Sequence, residues 1–115
     1  MVISTTELKH MIDNEGDYVL IDVRREDELH HGMIPTAKHL CLDEVESAFE
    51  MGEEEFLVKY GFLRPSKDEL IIVHCRTGGR SNVAASYLKG KGFNVENYEG
   101  SVQEWSRIDE NVKMY

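Results

Sequence analysis

Apolar residues follow two alternating patterns along this chain. Continuous runs at residues 18–23 (Tyr-Val-Leu-Ile-Asp-Val), 70–74 (Leu-Ile-Ile-Val-His) and 93–98 have the length of buried strands. A shorter stretch at 37–42 predicts a further strand. Between these runs, apolar residues recur at three- and four-residue intervals, the spacing of one helix face. Ser4-Thr5-Thr6-Glu7 is a capping-box pattern followed by Leu8, Met11 and Ile12, and Gly16 closes that helix. Residues 25–31 predict a short helical turn ending at Gly32, and Pro35 keeps it from resuming. Residues 43–51 and 53–60 predict two acidic amphipathic helices with Val45, Phe49, Phe56, Leu57 and Tyr60 inward; Gly61 and Pro65 end them. Ser81 is the natural N-cap of a helix burying Val83, Ala84, Tyr87 and Leu88, stopped by Gly90 and Gly92. Ser101-Val102-Gln103-Glu104 is a second capping box, opening a helix that buries Trp105 and Ile108. Ser66-Lys67-Asp68-Glu69 carries the same signature, but a strand comes after it, so it reads as a turn.

Strands alternating with helices imply an α/β fold of three layers: a central, mostly parallel sheet of about five strands, flanked by helices on both faces. No repeat, low-complexity tract or linker divides the chain, so residues 1–115 read as one domain. Ligands of such folds sit beyond the carboxyl ends of the strands. Cys75 falls at one such end, and Asp22-Val23-Arg24 at another.

Composition narrows the partners. With 22 acidic and 13 basic residues the formal net charge is −9, which disfavours nucleic acid and anionic membranes. No apolar stretch has membrane-spanning length, and the first residues lack the pattern of a secretory signal, so a cytoplasmic location is expected. Two cysteines, Cys41 and Cys75, without a Cys-x-x-Cys pair, imply neither a disulfide framework nor a metal site, and no cofactor is expected. Residues 70–95 contain no Asp or Glu, yet include Arg76, Arg80, Lys89 and Lys91. A buried strand and its helix are poor in acids in any case. The sharper reading is a site kept free of carboxylates and open to anions.

The chemistry concentrates in His74-Cys75-Arg76-Thr77-Gly78-Gly79-Arg80-Ser81. A thiolate is the reactive form of cysteine, and it needs stabilising to exist at neutral pH. Three features here would supply that: the positive end of the following helix, the backbone N–H groups of residues 76–81, and the Arg76 and Arg80 charges. Gly78 and Gly79 let the backbone turn inward, and Thr77 offers a hydroxyl. Cys75 is therefore the candidate nucleophile, with Arg76, Thr77, Gly78, Gly79, Arg80 and Ser81 as its anion-binding cradle. His74 should point to the other strand face as a structural residue. Cys41 reads as a packed core thiol. Asp22 and Arg24 fit either a local ion pair or helix cap, or a supporting role beside the loop.

These motifs resemble the rhodanese family, the thiosulfate sulfurtransferases, and in particular its small single-domain cytosolic members. Leu20-Ile21-Asp22-Val23-Arg24 resembles the family's first signature. Glu28, Gly32, Ile34, Pro35 and Ala37 match a second segment, His74 to Ser81 the active-site loop, and Tyr98-Glu99-Gly100 through Trp105 the last element. Met33 stands where many members have His, Thr36 where many have Gly, and Ser101 in place of a second Gly. Ser101 is expected to narrow or polarise the pocket. The resemblance implies a ping-pong mechanism. Cys75 takes the sulfane sulfur of thiosulfate as a persulfide, with Arg76 attracting the donor's sulfonate end. A thiol acceptor such as glutathione or thioredoxin, or cyanide, then removes the sulfur. A monomer or weak dimer is expected. A sulfur carrier loaded by a protein partner is the alternative. A phosphatase or arsenate reductase of related fold is disfavoured, because four residues, not five, separate Cys75 from Arg80.

Overall fold

The computed structural model describes residues 2–115. Its elements show the predicted alternation: α1 (Thr5–Asp13), β1 (Val19–Asp22), a 3-10 helix (Glu26–His31), β2 (Lys38–His39), α2 (Leu42–Ala48), α3 (Glu53–Tyr60), β3 (Leu70–His74), α4 (Gly79–Gly90), β4 (Asn94–Asn97) and α5 (Ser101–Trp105). The capping box at α1 forms in full, with Ser4 Oγ accepting the Glu7 N–H and Glu7 accepting the Ser4 N–H.

The sheet runs β2-β1-β3-β4, and every pairing is parallel. Among the described residues it has four strands, not about five. The nearest approach to another is an isolated bridge from Val2 to Asn97. Ser4 caps α1 two residues later, which ends this pairing on the C-terminal side of Val2. Side chains alternate between two cores, as strand geometry requires. Ile21, Ile71, Val73 and Val95 pack with Val45, Phe49 and Phe56 of the α2–α3 segment and with Ala84 and Leu88 of α4. On the other face, Leu20, Ile72 and Tyr98 pack with Leu8 of α1 and with Val102 and Trp105 of α5.

Several expectations fail at element ends and on helix faces. α4 begins at Gly79, so Ser81 lies inside the helix and does not cap it. The buried face of α4 is Ser81, Ala84, Ala85 and Leu88, and Val83 is 57% exposed. Ser101 likewise starts α5 as a helical residue, not as a cap, and Ile108 and Leu57 are exposed. β2 is two residues long, and Cys41 is the half-buried residue before α2, not a core thiol within a strand. Side chains with mixed patterns are placed by the neighbour they meet, which periodicity alone does not name.

Candidate active site

Register brings the site together. Asp22 pairs with His74, and Val73 with Asn97, so the carboxyl ends of β1, β3 and β4 converge beside Cys75. Cys75 is 1% exposed. The start of α5 clamps its backbone. Cys75 N–H donates to Ser101 Oγ (3.1 Å), Val102 N–H donates to the Cys75 carbonyl (3.2 Å), and Gln103 N–H to that of Arg76 (2.9 Å). Ser101 Oγ–H in turn donates to the Tyr98 carbonyl (2.8 Å). Ser101 is fully buried, and its hydroxyl holds the cysteine backbone. Ser101 and Thr36 both have positive φ (52° and 73°), the conformation that favours glycine, at two of the positions where the sequence departs from the family pattern.

The loop turns inward around the sulfur. Gly78 N–H donates to Cys75 Sγ at 3.1 Å, and Ser81 Oγ–H lies 3.5 Å from it, shared with the Gly78 carbonyl at 3.2 Å. Burial pushes the Cys75 thiol up. The Ser81 hydroxyl and the backbone N–H groups of Ser81, Gly78 and Thr77 outweigh that and bring it below its ordinary value. Only Gly78 of the two glycines is required by geometry. Its φ is +102°, and an added Cβ would sit 2.5 Å from the Glu99 carbonyl oxygen, whereas one at Gly79 would meet nothing within 4 Å. Thr77 is exposed at the loop tip.

The two arginines play unequal parts. Arg80 is held by both oxygens of Glu28, at 2.5 and 2.9 Å. These bonds pull Glu28 well below the usual carboxylate range against the opposing cost of its burial, with help from the Tyr115 hydroxyl. The expectation of a carboxylate-free site is therefore wrong in space. The acid-free window holds along the chain, but Glu28 enters from the 3-10 helix and offsets the Arg80 charge. Arg76 has no carboxylate within ion-pair distance among the described residues. Its guanidinium lies 4.8 Å over the ring of Tyr115.

Asp22 and Arg24 form a fully buried ion pair. Arg24 Nε donates to Oδ1 (3.0 Å) and Nη2 to Oδ2 (2.7 Å), and Nη2 also reaches the Gly32 carbonyl (2.9 Å). Arg24 Nη1 donates to the Tyr115 hydroxyl (3.0 Å), which donates to Glu28 Oε2 (2.7 Å). The pair thus connects to the cradle through a chain ending at Arg80. Beyond the pair itself, Arg24 bonds to Gly32, Tyr115 and the His39 ring, and not to Cys75. His74 is buried with its Nδ1 facing the Cys75 carbonyl (3.1 Å) and its Nε2 3.7 Å from Asp22. Burial lowers its proton affinity more than Asp22 raises it, so it stays neutral as a structural residue. Glu28 and Tyr115 escaped the sequence reading as site residues. Glu28 stood only within a family segment, and Tyr115 carried no signal.

A family model described as a rhodanese-like domain matches residues 4–108. A mitochondrial protein of Schizosaccharomyces pombe is 43% identical over 89 residues, covering 76% of this chain, which spans 63% of that protein's length. The thiosulfate:glutathione sulfurtransferase of Homo sapiens is 31% identical over 105 residues, covering 90% of each chain. The solved structure of the human single-domain sulfurtransferase TSTD1 superposes with a TM-score of 0.89 at 27% identity, covering 94% of this chain and 96% of its own. With the match spanning nearly the whole chain and the loop geometry in place, the chain belongs to the rhodanese-like domain family.

Proposed function

We propose that this protein is a sulfurtransferase in which the Cys75 thiolate attacks the outer, sulfane sulfur of thiosulfate. The new bond joins Cys75 Sγ to that sulfur, and the sulfur–sulfur bond of thiosulfate breaks with its electron pair leaving on sulfite. The Cys75 persulfide then gives its outer sulfur to an acceptor thiolate, which restores the Cys75 thiolate. The observation that carries this reading is the Cys75 sulfur facing the Gly78 N–H and the Ser81 hydroxyl, in a loop whose Arg80 comes after four residues. So small a ring suits a sulfur atom better than a phosphate.

Arg76, with no carboxylate partner among the described residues, is the cation for the donor's sulfonate. Arg80, held by Glu28, shapes the loop. Glutathione is the acceptor favoured by the human relative's name, and thioredoxin offers the same thiol chemistry. Two free cysteines suit a reducing compartment such as the cytosol, although two relatives, from Schizosaccharomyces pombe and Saccharomyces cerevisiae, are mitochondrial. No helix among the described residues is long and apolar enough to cross a membrane. A single sheet with a core on each face supports one domain over the chain.

Mass spectrometry after thiosulfate treatment is expected to show one added sulfur on the wild type and none on Cys75→Ser. Turnover with glutathione, thioredoxin and cyanide then ranks the acceptors. An unmodified wild type, or hydrolysis of an aryl phosphate at a rate rivalling sulfur transfer, refutes the reading.

A further inference from the structure

One phenol touches Arg76 directly and reaches Arg80 through Glu28. The ring of Tyr115 lies under the Arg76 guanidinium at 4.8 Å and stacks on His31 on its own account, with centroids 3.9 Å apart and planes 8° from parallel. Its hydroxyl donates to Glu28 Oε2 and accepts from Arg24. The approach to this position is anchored: Lys113 N–H donates to the His31 carbonyl (2.8 Å), and Val112 is buried. Tyr115 lies outside the residues matched by the family model.

We propose that Tyr115 is a positioning residue for anion recognition. Its ring seats Arg76 without neutralising it, and its hydroxyl fixes the Glu28 carboxylate that neutralises Arg80.

The physical distinction is between two kinds of partner. A carboxylate holds a guanidinium but cancels its charge, as Glu28 does for Arg80. An aromatic face holds it through the ring quadrupole and carries no net charge, so the field of the cation stays available to a ligand. The Nε of Arg76 is buried and has no hydrogen-bond partner. That atom faces the protein and not solvent, so it is the rest of the half-buried guanidinium that an anion can approach. One phenol therefore divides the labour of the loop. Arg76 faces the anion, and Arg80 ties the start of α4 to Glu28 of the 3-10 helix. The identity of that anion as thiosulfate rests on the sulfur-transfer reading, but the seating of Arg76 does not.

The test uses the full chain carrying Cys75→Ser, which binds but does not react. Thiosulfate is titrated and the amide signals of Gly78 and Gly79 are monitored by NMR, in the Tyr115 background and with Tyr115→Phe and Tyr115→Leu. Phe keeps the ring face and loses the hydroxyl, whereas Leu keeps only apolar cover over His31. Tyr115→Leu is expected to weaken thiosulfate binding about two- to fivefold, the scale of one exposed cation–π contact. Tyr115→Phe should stay within about twofold of the parent. Both variants lose the hydroxyl, so a loss of stability common to both cannot produce a difference between them. Equal affinities for Phe and Leu overturn the proposal, as does the absence of saturable binding in the Tyr115 background.

Persulfide formation on the Cys75 protein is read separately. Binding with the expected order but no sulfur gained refutes sulfur transfer and leaves the role of Tyr115 standing. Sulfur gained with Phe and Leu equal does the reverse.

Discussion

Replacing Gly78 by alanine puts a methyl carbon 2.5 Å from the Glu99 carbonyl oxygen and 3.3 Å from the Glu99 Cα and carbonyl carbon. All three are backbone atoms of the turn entering α5, so no side chain can rotate away. The residue must also hold φ at +102°, which disfavours any side chain by about 1–2 kcal/mol. With overpacking against fixed backbone added, a loss of about 3 kcal/mol is expected, a large fraction of the stability of a small domain. Gly79, the next residue, is the internal control. An added Cβ there meets nothing within 4 Å, its backbone lies outside the left-handed region, and it begins α4. Gly79→Ala should therefore stabilise by about 0.5–1 kcal/mol, through the reduced freedom of the unfolded chain. Urea unfolding of the two variants beside the wild type measures both effects. The same pair separates the chemistry. Displacing Gly78 weakens its N–H bond to Cys75 Sγ and should raise the thiol pKa, read by titrating thiolate absorbance, while Gly79→Ala leaves it in place. Equal shifts in stability for the two variants would refute the assignment of the turn to Gly78 alone.

The buried charges give three further outcomes. Arg80→Ala should destabilise more than the double variant Arg80→Ala/Glu28→Gln, because it strands a buried carboxylate. With the Arg80 side chain 31% exposed and therefore screened, the coupling should be about 1–2 kcal/mol, and additive urea-unfolding energies would contradict it. Glu28 and His74 both bind protons more weakly folded than unfolded, so each contributes stability at neutral pH that is lost on acidification. The His74 share is lost as pH falls below its unfolded value of 6.5, and the Glu28 share as pH falls below 4.5 toward its depressed folded value. Unfolding midpoints measured against pH should therefore decline in two stages, and Glu28→Gln should flatten the lower one. Asp22→Asn leaves the Arg24 guanidinium buried against a neutral partner and should cost about 3–5 kcal/mol in urea unfolding; a loss below about 1 kcal/mol would mean that the pair is dispensable.

The acid-free window shows why proximity along the chain misleads about charge. Counting carboxylates between residues 70 and 95 describes the neighbours of Cys75 in sequence, but a Coulomb interaction depends on distance in space. Glu28 is 52 residues from Arg80 and touches it. Ser81 failed for a related reason. Its hydroxyl suits a helix N-cap, but the turn at Gly78 starts the helix earlier and gives that hydroxyl the sulfur and the Gly78 carbonyl as partners.

What the sequence by itself determined is local. The capping box of α1, the apolar runs of β1 and β3, the alternation that makes a parallel sheet and the spacing from Cys75 to Arg80 all depend on residues a few positions apart. Their preferences act within one turn or one strand. Tertiary structure decided which distant groups share the site: Ser101 under the Cys75 backbone at a separation of 26 residues, and Tyr115 against Glu28 at a separation of 87. Those contacts exist because parallel register aligns the carboxyl ends of β1, β3 and β4, and because the segment before Tyr115 docks beside His31. Chain distance carries no trace of either.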